Sequence, residues 1–220
     1  TRMGQDPERV FNYGCPSLDL ASACRGRRLP PLGDVGVGDF DPDKPFILGM
    51  MHSVTNMVTD TLTKIRAIFK ALSDLEPLTQ VVWLWPNVDF GTDLIVRELN
   101  RINEATPFDV KFLKHLPAED FYALMSNCEF MVGNSSSGVR EGGLLGVPYV
   151  LVGDRQKGRE YGDNVDANGH IPLGDRFRHA LNWRPEPTDL YGDGSSGQLI
   201  AEALEVLPLI NGKVLSYVKE

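Results

Sequence analysis

The stretch Glu129-Phe130-Met131-Val132-Gly133-Asn134-Ser135-Ser136-Ser137-Gly138-Val139-Arg140-Glu141 decides the fold. Its apolar start predicts a strand, and the small hydroxyl residues after it open a helix-like segment that ends near Gly146-Val147-Pro148. A strand that turns through serines into a helix offers free backbone N–H groups and the positive end of a helix dipole. That arrangement is suited to a diphosphate. Glu141 falls about one turn further in, where a carboxylate can accept hydrogen bonds from ribose hydroxyls. Two readings of the local pattern stand side by side. One is a nucleotide or nucleotide-sugar site; the other is a serine-capped helix with no ligand, since serine is a preferred N-cap. Asn134-Ser135-Ser136 also matches a glycosylation sequon, which a buried strand-to-helix turn makes a poor acceptor.

The same rhythm extends outward. Pro45–Met51 is continuously apolar, and Thr61–Leu75 after it carries Leu62, Ile65, Ile68, Phe69 and Leu72 at helical spacing. Gln80–Trp85 is a second apolar run, followed by Thr92–Ile102 with Leu94, Ile95, Leu99 and Ile102 on one face. Val110–Leu116 precedes a helical Ala118–Asn127, and Tyr149–Val152 follows the serine turn. Runs that are apolar throughout indicate strands covered on both faces. Strand–helix alternation at this interval predicts an α/β fold built on a doubly wound parallel sheet. Such sheets bind ligands at the carboxyl ends of their strands, where the strand order reverses. His52, Asn87, Leu116, Ser135 with Ser136, and Arg155 each follow one of the five runs and so share one edge of the sheet.

Two regions depart from the rhythm. Residues 1–44 begin with Pro7–Asp19 and then become rich in Gly, Pro and Arg (Arg25-Gly26-Arg27-Arg28, Pro30-Pro31), the composition of a linker or domain crossover. Residues 160–194 carry many Gly, Asp and Pro, and a final amphipathic helix is predicted over Gln198–Leu207. Composition narrows the function classes further. At 220 residues, 42% apolar and 24% charged, the chain has the balance of a globular protein of about one large domain. No apolar run approaches the roughly 20 residues of a membrane helix, and no membrane partner is expected. The first residues, Thr1-Arg2-Met3-Gly4-Gln5-Asp6, lack signal-peptide character. Cys15, Cys24 and Cys128, without CxxC spacing, argue against a disulfide framework or zinc site and suit a reducing cytoplasm. A net charge of −8 argues against nucleic acid as a partner, so an anionic ligand must be held by local dipoles and a few cations.

Several motifs occur in order: Gly14-Cys15-Pro16-Ser17-Leu18-Asp19, His52-Ser53-Val54-Thr55, Trp85-Pro86-Asn87-Val88-Asp89, Gly133–Glu141, Gly146-Val147-Pro148, Gly153–Glu160 (GDRQKGRE) and Tyr191-Gly192-Asp193-Gly194. Together they resemble the UDP-N-acetylglucosamine 2-epimerase family, leaning to its hydrolysing branch. The resemblance spans nearly the whole chain. It implies two Rossmann-like domains facing a cleft, as in GT-B glycosyltransferases, with this chain as the C-terminal, nucleotide-binding half. Residues 1–44 would be the end of an N-terminal domain plus the crossover, 45–207 the UDP-binding domain and 208–220 a C-terminal tail. The final helix would pack back toward a partner domain, and the chain would be a piece of a longer protein.

The resemblance also implies roles. Ser135 and Ser136 would hold the UDP phosphates and Glu141 the ribose; Arg155 would pair with phosphate oxygens, with a surface pairing to Asp154 or Glu160 as its alternative. His52 would approach the phosphates and help the leaving group depart, although Ser53 stands where the family usually has Pro, which leaves that loop less rigid. Asn87 and Leu116 would make further nucleotide contacts, Leu116 through its main chain at the uracil edge; a turn residue and a packed leucine are the alternatives. Arg140 either steadies the serine turn or reaches the ligand, and the Tyr191–Gly194 turn caps the last helix or lies near the cleft. His115, His170 and His179 read as structural, and Trp83 and Trp85 as core.

The resemblance further implies loss of UDP from C1 together with the C2 proton, then addition of water to give N-acetylmannosamine. The base and acid this requires would belong to the N-terminal domain, so the chain alone is expected to bind UDP weakly and not turn over. No cofactor or metal is implied. A donor-binding half of a GT-B glycosyltransferase and a non-catalytic nucleotide-sugar-binding domain remain as alternatives. The sequence leaves open a homo-oligomer and the choice between UDP-N-acetylglucosamine and a diacetylated relative.

Overall fold

The computed structural model describes residues 4–29, 40–54, 57–75, 80–105, 108, 110–114 and 116–208. Pro30-Pro31, Thr55, His115 and residues 209–220 of the expected tail lie outside the described residues. After a 3-10 turn at Pro7–Arg9 the elements run α1 (Ser17–Ala23), β1 (Phe46–Met50), α2 (Val58–Ser73), β2 (Gln80–Leu84), α3 (Thr92–Ala105), β3 (Val110–Leu113) and α4 (Ala118–Asn127). They continue with β4 (Phe130–Gly133), α5 (Ser136–Val139), α6 (Glu141–Leu145), β5 (Tyr149–Leu151), β6 (Val165–Asp166), α7 (Leu173–Asn182) and α8 (Ser196–Val206). The five runs are the first five strands, β4 gaining Gly133 at its end and the others losing a residue or a few. All six strands pair in parallel in the order β3-β2-β1-β4-β5-β6. The order reverses between β1 and β4, which makes the crevice beyond their carboxyl ends the place for a ligand.

The period-2 geometry of each strand sends alternate side chains to opposite faces. Ile47, Val81, Trp83, Phe130, Val132 and Val150 enter one buried cluster with Ile65, Ile68 and Leu72 of α2, Ile95 and Leu99 of α3, and Phe177 of α7. Phe46, Leu48, Met50, Val82, Leu84, Met131 and Tyr149 enter the other, with Leu124 and Met125 of α4 and Val139 of α5. Both faces are therefore covered, as the uninterrupted apolar runs require. Each fully buried side chain of this size contributes roughly 1.5–3 kcal/mol relative to exposure.

Three local features were not foreseen. The segment after the serines is not one helix: Arg140 (φ −87°, ψ −67°) separates α5 from α6. Gly138, Gly142 and Gly143 lower helix propensity there, and a Cβ on Gly138 would meet the Tyr149 ring at 2.6 Å, so close packing on the sheet sets the path. Within the Gly- and Pro-rich 160–194 stretch lie β6 and α7, the latter burying Arg176, Phe177 and Ala180. Within residues 1–44, α1 packs Leu18, Ala21 and Cys24 against Tyr122 of α4 and Leu144 of α6. Asp19 of α1 also accepts from the Ser196 and Gly197 N–H groups (3.0 and 2.5 Å). The start of α8 is thus capped from α1, while in the Tyr191–Gly194 turn Asp193 accepts from the Ser195 N–H and hydroxyl (3.0 and 2.6 Å).

Candidate functional site

Gly133 ends β4 with φ +147°, and a Cβ there would lie 1.8 Å from the Met50 carbonyl oxygen. Only glycine lets the ends of β1 and β4 approach this closely. The residues just beyond the two strands, Asn134 and His52, then meet. Asn134 is 1% exposed, its Oδ1 accepts from the His52 N–H (2.8 Å), and its Nδ2 donates to the His52 carbonyl (2.9 Å). The Asn134 carbonyl accepts in turn from Gln156 Nε2 (2.8 Å) and Arg155 Nη1 (3.3 Å). Neither Asn134 nor Gln156 was singled out from the sequence as part of the site. The pairing of Asn134 spans 82 residues, and its burial agrees with the poor prospects of the sequon.

Above these strand ends lies a cleft of about 310 Å³. His52, Asn87, Leu116, Ser135, Ser136 and Arg155 line it together. Lys114 and Phe121 line it as well; Lys114 follows β3 directly, so the strand-end rule could have found it. Ser135 caps α5, its Oγ accepting from the Ser137 N–H at 3.3 Å, and its carbonyl accepts from the Tyr149 hydroxyl at 3.0 Å. Tyr149 holds its proton: burial, above all, pushes its pKa far up. Arg155 is exposed, and among the described residues neither Asp154 nor Glu160 forms an ion pair with it.

His52 is 5% exposed. Burial, then the positive charge of Arg155, lowers its pKa to about 4 against an opposing pull from Asp89. The ring is therefore neutral at pH 7. Its Nδ1 accepts from the Asn87 N–H at 3.3 Å, so the hydrogen sits on Nε2. A neutral Nε2–H is a donor that can meet an anionic oxygen. Ser53, where a proline was expected, donates from its hydroxyl to the Phe90 carbonyl, which ties the loop after β1 to the loop after β2.

Glu141 does not line this cleft. It is 2% exposed, and its Oε1 accepts from the Ser17 hydroxyl (2.6 Å) and Arg140 Nη2 (3.3 Å). Its Oε2 is buried without a hydrogen-bond partner, as is Arg140 Nε. Arg140 also donates to Cys15 Sγ at 3.3 Å, so it braces Glu141 and the segment leading into α1. One carboxylate oxygen is thus fixed and the other left with its hydrogen-bonding capacity unmet. Of the other histidines, the His179 ring packs on Trp183, with centroids 5.3 Å apart, and His170 is exposed. Trp83 is fully buried and Trp85 half-buried at the rim of the cleft.

A family model described as UDP-N-acetylglucosamine 2-epimerase matches residues 1–205. A relative from Legionella pneumophila, named UDP-N,N'-diacetylbacillosamine 2-epimerase (hydrolyzing), is 33% identical over 213 residues, 94% of this chain and 54% of its own length. The UDP-N-acetylglucosamine 2-epimerase of Neisseria meningitidis is 32% identical over 166 residues, 74% of this chain and 41% of its own. The chain therefore spans about half the length of the curated relatives it matches. Among solved structures, that of Methanocaldococcus jannaschii UDP-GlcNAc 2-epimerase in complex with UDP-GlcNAc and UDP shares the fold. The TM-score is 0.68 at 17% identity, over 93% of this chain and 57% of that one. With 205 of its 220 residues under the family model, the chain belongs to the UDP-N-acetylglucosamine 2-epimerase family.

Proposed function

We propose that this chain is the UDP-binding part of a hydrolysing UDP-N-acetylglucosamine 2-epimerase. The observation that carries the proposal is the gathering of His52, Asn87, Leu116, Ser135, Ser136 and Arg155 around one cleft at the point where the strand order reverses. Arg155, Lys114 and the Nε2–H of His52 supply charge and hydrogen bonds for a diphosphate leaving group, and the serine turn supplies small polar contacts. Glu141, which lies behind the serine turn, receives the ribose once its buried, unpaired Oε2 is uncovered, with Ser17 and Arg140 holding the other oxygen in place. The C1–O bond breaks as UDP departs and C2 loses its proton, giving an unsaturated sugar. Water then adds across the double bond, its hydroxyl to C1 and a proton to C2, giving N-acetylmannosamine.

Among the described residues, no carboxylate lines the cleft. The acid and base therefore come, in this proposal, from a further domain, with residues 45–207 as the UDP-binding unit and the segment before it as the crossover. The isolated chain binds UDP weakly and does not turn over. A cytoplasmic setting agrees with the three free cysteines. The name of the Legionella relative favours a second reading for the sugar, a diacetylated UDP sugar in place of UDP-N-acetylglucosamine; a competition of the two for the two-domain protein decides between them.

Calorimetric titration of the chain with UDP and, in parallel, GDP tests the proposal, with Glu141→Ala as the comparison. We expect saturable UDP binding, weaker GDP binding, and a loss of at least about 1 kcal/mol in the variant, as for a lost charged hydrogen bond. Absence of UDP binding at millimolar concentration overturns the assignment of the cleft. An unchanged affinity in the variant removes Glu141 from it.

A further inference from the structure

We infer that Asn134 is the positioning residue of this site: its side chain sets the place of His52, and its carbonyl, held by Gln156, sets the place of Arg155. The inference rests on the nucleotide-binding reading of the cleft. The geometry is specific. An asparagine side chain offers one acceptor and two donors, and here the acceptor takes the His52 N–H at 2.8 Å while a donor reaches the His52 carbonyl at 2.9 Å. The main chain of His52 is thus gripped on both sides by one planar group. The Asn87 N–H at the ring Nδ1 supplies a third point and selects the tautomer. With the main chain fixed, only the ring's own torsions remain, and the Asn87 bond holds these.

The other end of Asn134 does equivalent work. Its carbonyl takes Gln156 Nε2 at 2.8 Å and Arg155 Nη1 at 3.3 Å. Gln156 is 2% exposed. The two groups proposed to meet a phosphate, one from the β1 end and one from beyond β5, are therefore referenced to a single residue at the β4 end. The asparagine itself is almost wholly buried and absent from the cleft lining, so it acts through its neighbours. Burial also makes the arrangement exacting, because a buried polar group whose partner is removed loses far more than a surface one.

Asn164 is a natural comparison. It is equally buried, and its Nδ2 donates to the Gly138 and Val147 carbonyls (2.9 and 3.1 Å), with no bond to His52. Asn134→Asp keeps the shape and the acceptor but replaces the donor with an oxygen facing the His52 carbonyl. The first readout is the ring of His52 in ligand-free protein, by long-range proton–nitrogen NMR, which reports the tautomer. The second is UDP affinity by calorimetry.

We expect Asn134→Asp to mix or reverse the Nε2–H tautomer and to weaken UDP binding about tenfold or more, as the loss of a hydrogen bond to a charged group does. Gln156→Ala, which leaves the Asn134 side chain intact, moves the same two readouts in the same direction by less. It decides the matter if Asn134→Asp does not fold. Asn164→Ala is expected to lower the melting temperature and leave the His52 tautomer unchanged. A folded Asn134→Asp with the parent's ring spectrum and UDP affinity within threefold overturns the inference, as does an Asn164→Ala variant that disturbs the ring equally. If the parent chain binds no UDP, the nucleotide reading fails, while the ring spectra still decide whether Asn134 positions His52.

Discussion

Two buried polar clusters flank the serine turn, and they differ in completeness. At the β1–β4 ends both side-chain groups of Asn134 that face His52 are paired, and its carbonyl has two donors. At the start of α6, Glu141 and Arg140 pair with each other and with Ser17 and Cys15, yet Glu141 Oε2 and Arg140 Nε are left buried and unpartnered. In the first cluster every group that faces His52 is paired, and Gln156 Oε1, away from that contact, is left buried without a partner. The second keeps one oxygen in reserve at an energetic cost that a ligand hydroxyl would remove. A site of this kind combines rigid placement where charge must be met with an unmet hydrogen bond where a sugar must be recognised.

Substitutions at the first cluster should therefore cost fold stability as well as binding, and those at the second should bear mainly on binding. Gly133→Ala gives the largest effect expected. It drives a Cβ into the Met50 carbonyl at a backbone angle that L side chains rarely adopt. We expect a loss of more than about 3 kcal/mol, read as a collapse of the thermal transition; a mild shift would show that the two strand ends can separate without harm.

The pH dependence of stability should carry the signature of the same cluster. The folded-state pKa of His52, about 4, lies below the ordinary 6.5, so the unfolded chain takes up a proton first as pH falls. The stability present above pH 6.5 is then lost progressively toward pH 4, by about 3 kcal/mol at most. Denaturant titrations at both ends of that window, on the parent and on His52→Gln, measure it. The variant should lose the slope due to this group, and an unaltered slope would assign the effect elsewhere.

Ser17→Ala acts on the open cluster and should be the mildest. It removes the 2.6 Å bond to Glu141 Oε1 and leaves Arg140 as the remaining brace. A stability loss near 1 kcal/mol is expected, together with UDP binding weakened severalfold in calorimetry. Equal UDP affinity would mean that the orientation of Glu141 does not depend on α1.

What the sequence revealed follows the same division. Four of the five runs were legible as strands because burial on both faces leaves little polar interruption, Val110–Leu116 with its two lysines being the exception, and the strand-end rule then put His52, Asn87, Leu116, Ser135, Ser136 and Arg155 along one edge. α7 was hidden although Leu173, Phe177 and Leu181 recur at a four-residue interval, because the Gly, Asp and Pro around it dominate the local composition. The break at Arg140 has a local trace in Gly138, Gly142 and Gly143, whereas the packing of Gly138 on the Tyr149 ring is a tertiary fact the local pattern does not carry. Asn134 was visible only as a sequon residue. Its partner lies 82 residues earlier, and pattern reading within a window does not reach that far.

The cap of α8 has a kinetic consequence. Asp19 and the Ser196 N–H it accepts from are 177 residues apart, so this contact closes nearly the full length of the chain. Closing so long a loop costs entropy that local contacts cannot return early, and contacts of this separation tend to form late in folding. The helix carries little burial of its own, with Ser196 its sole buried residue. Its docking should therefore follow the folding barrier, so that breaking the Asp19 contact quickens unfolding while the refolding rate stays nearly the same.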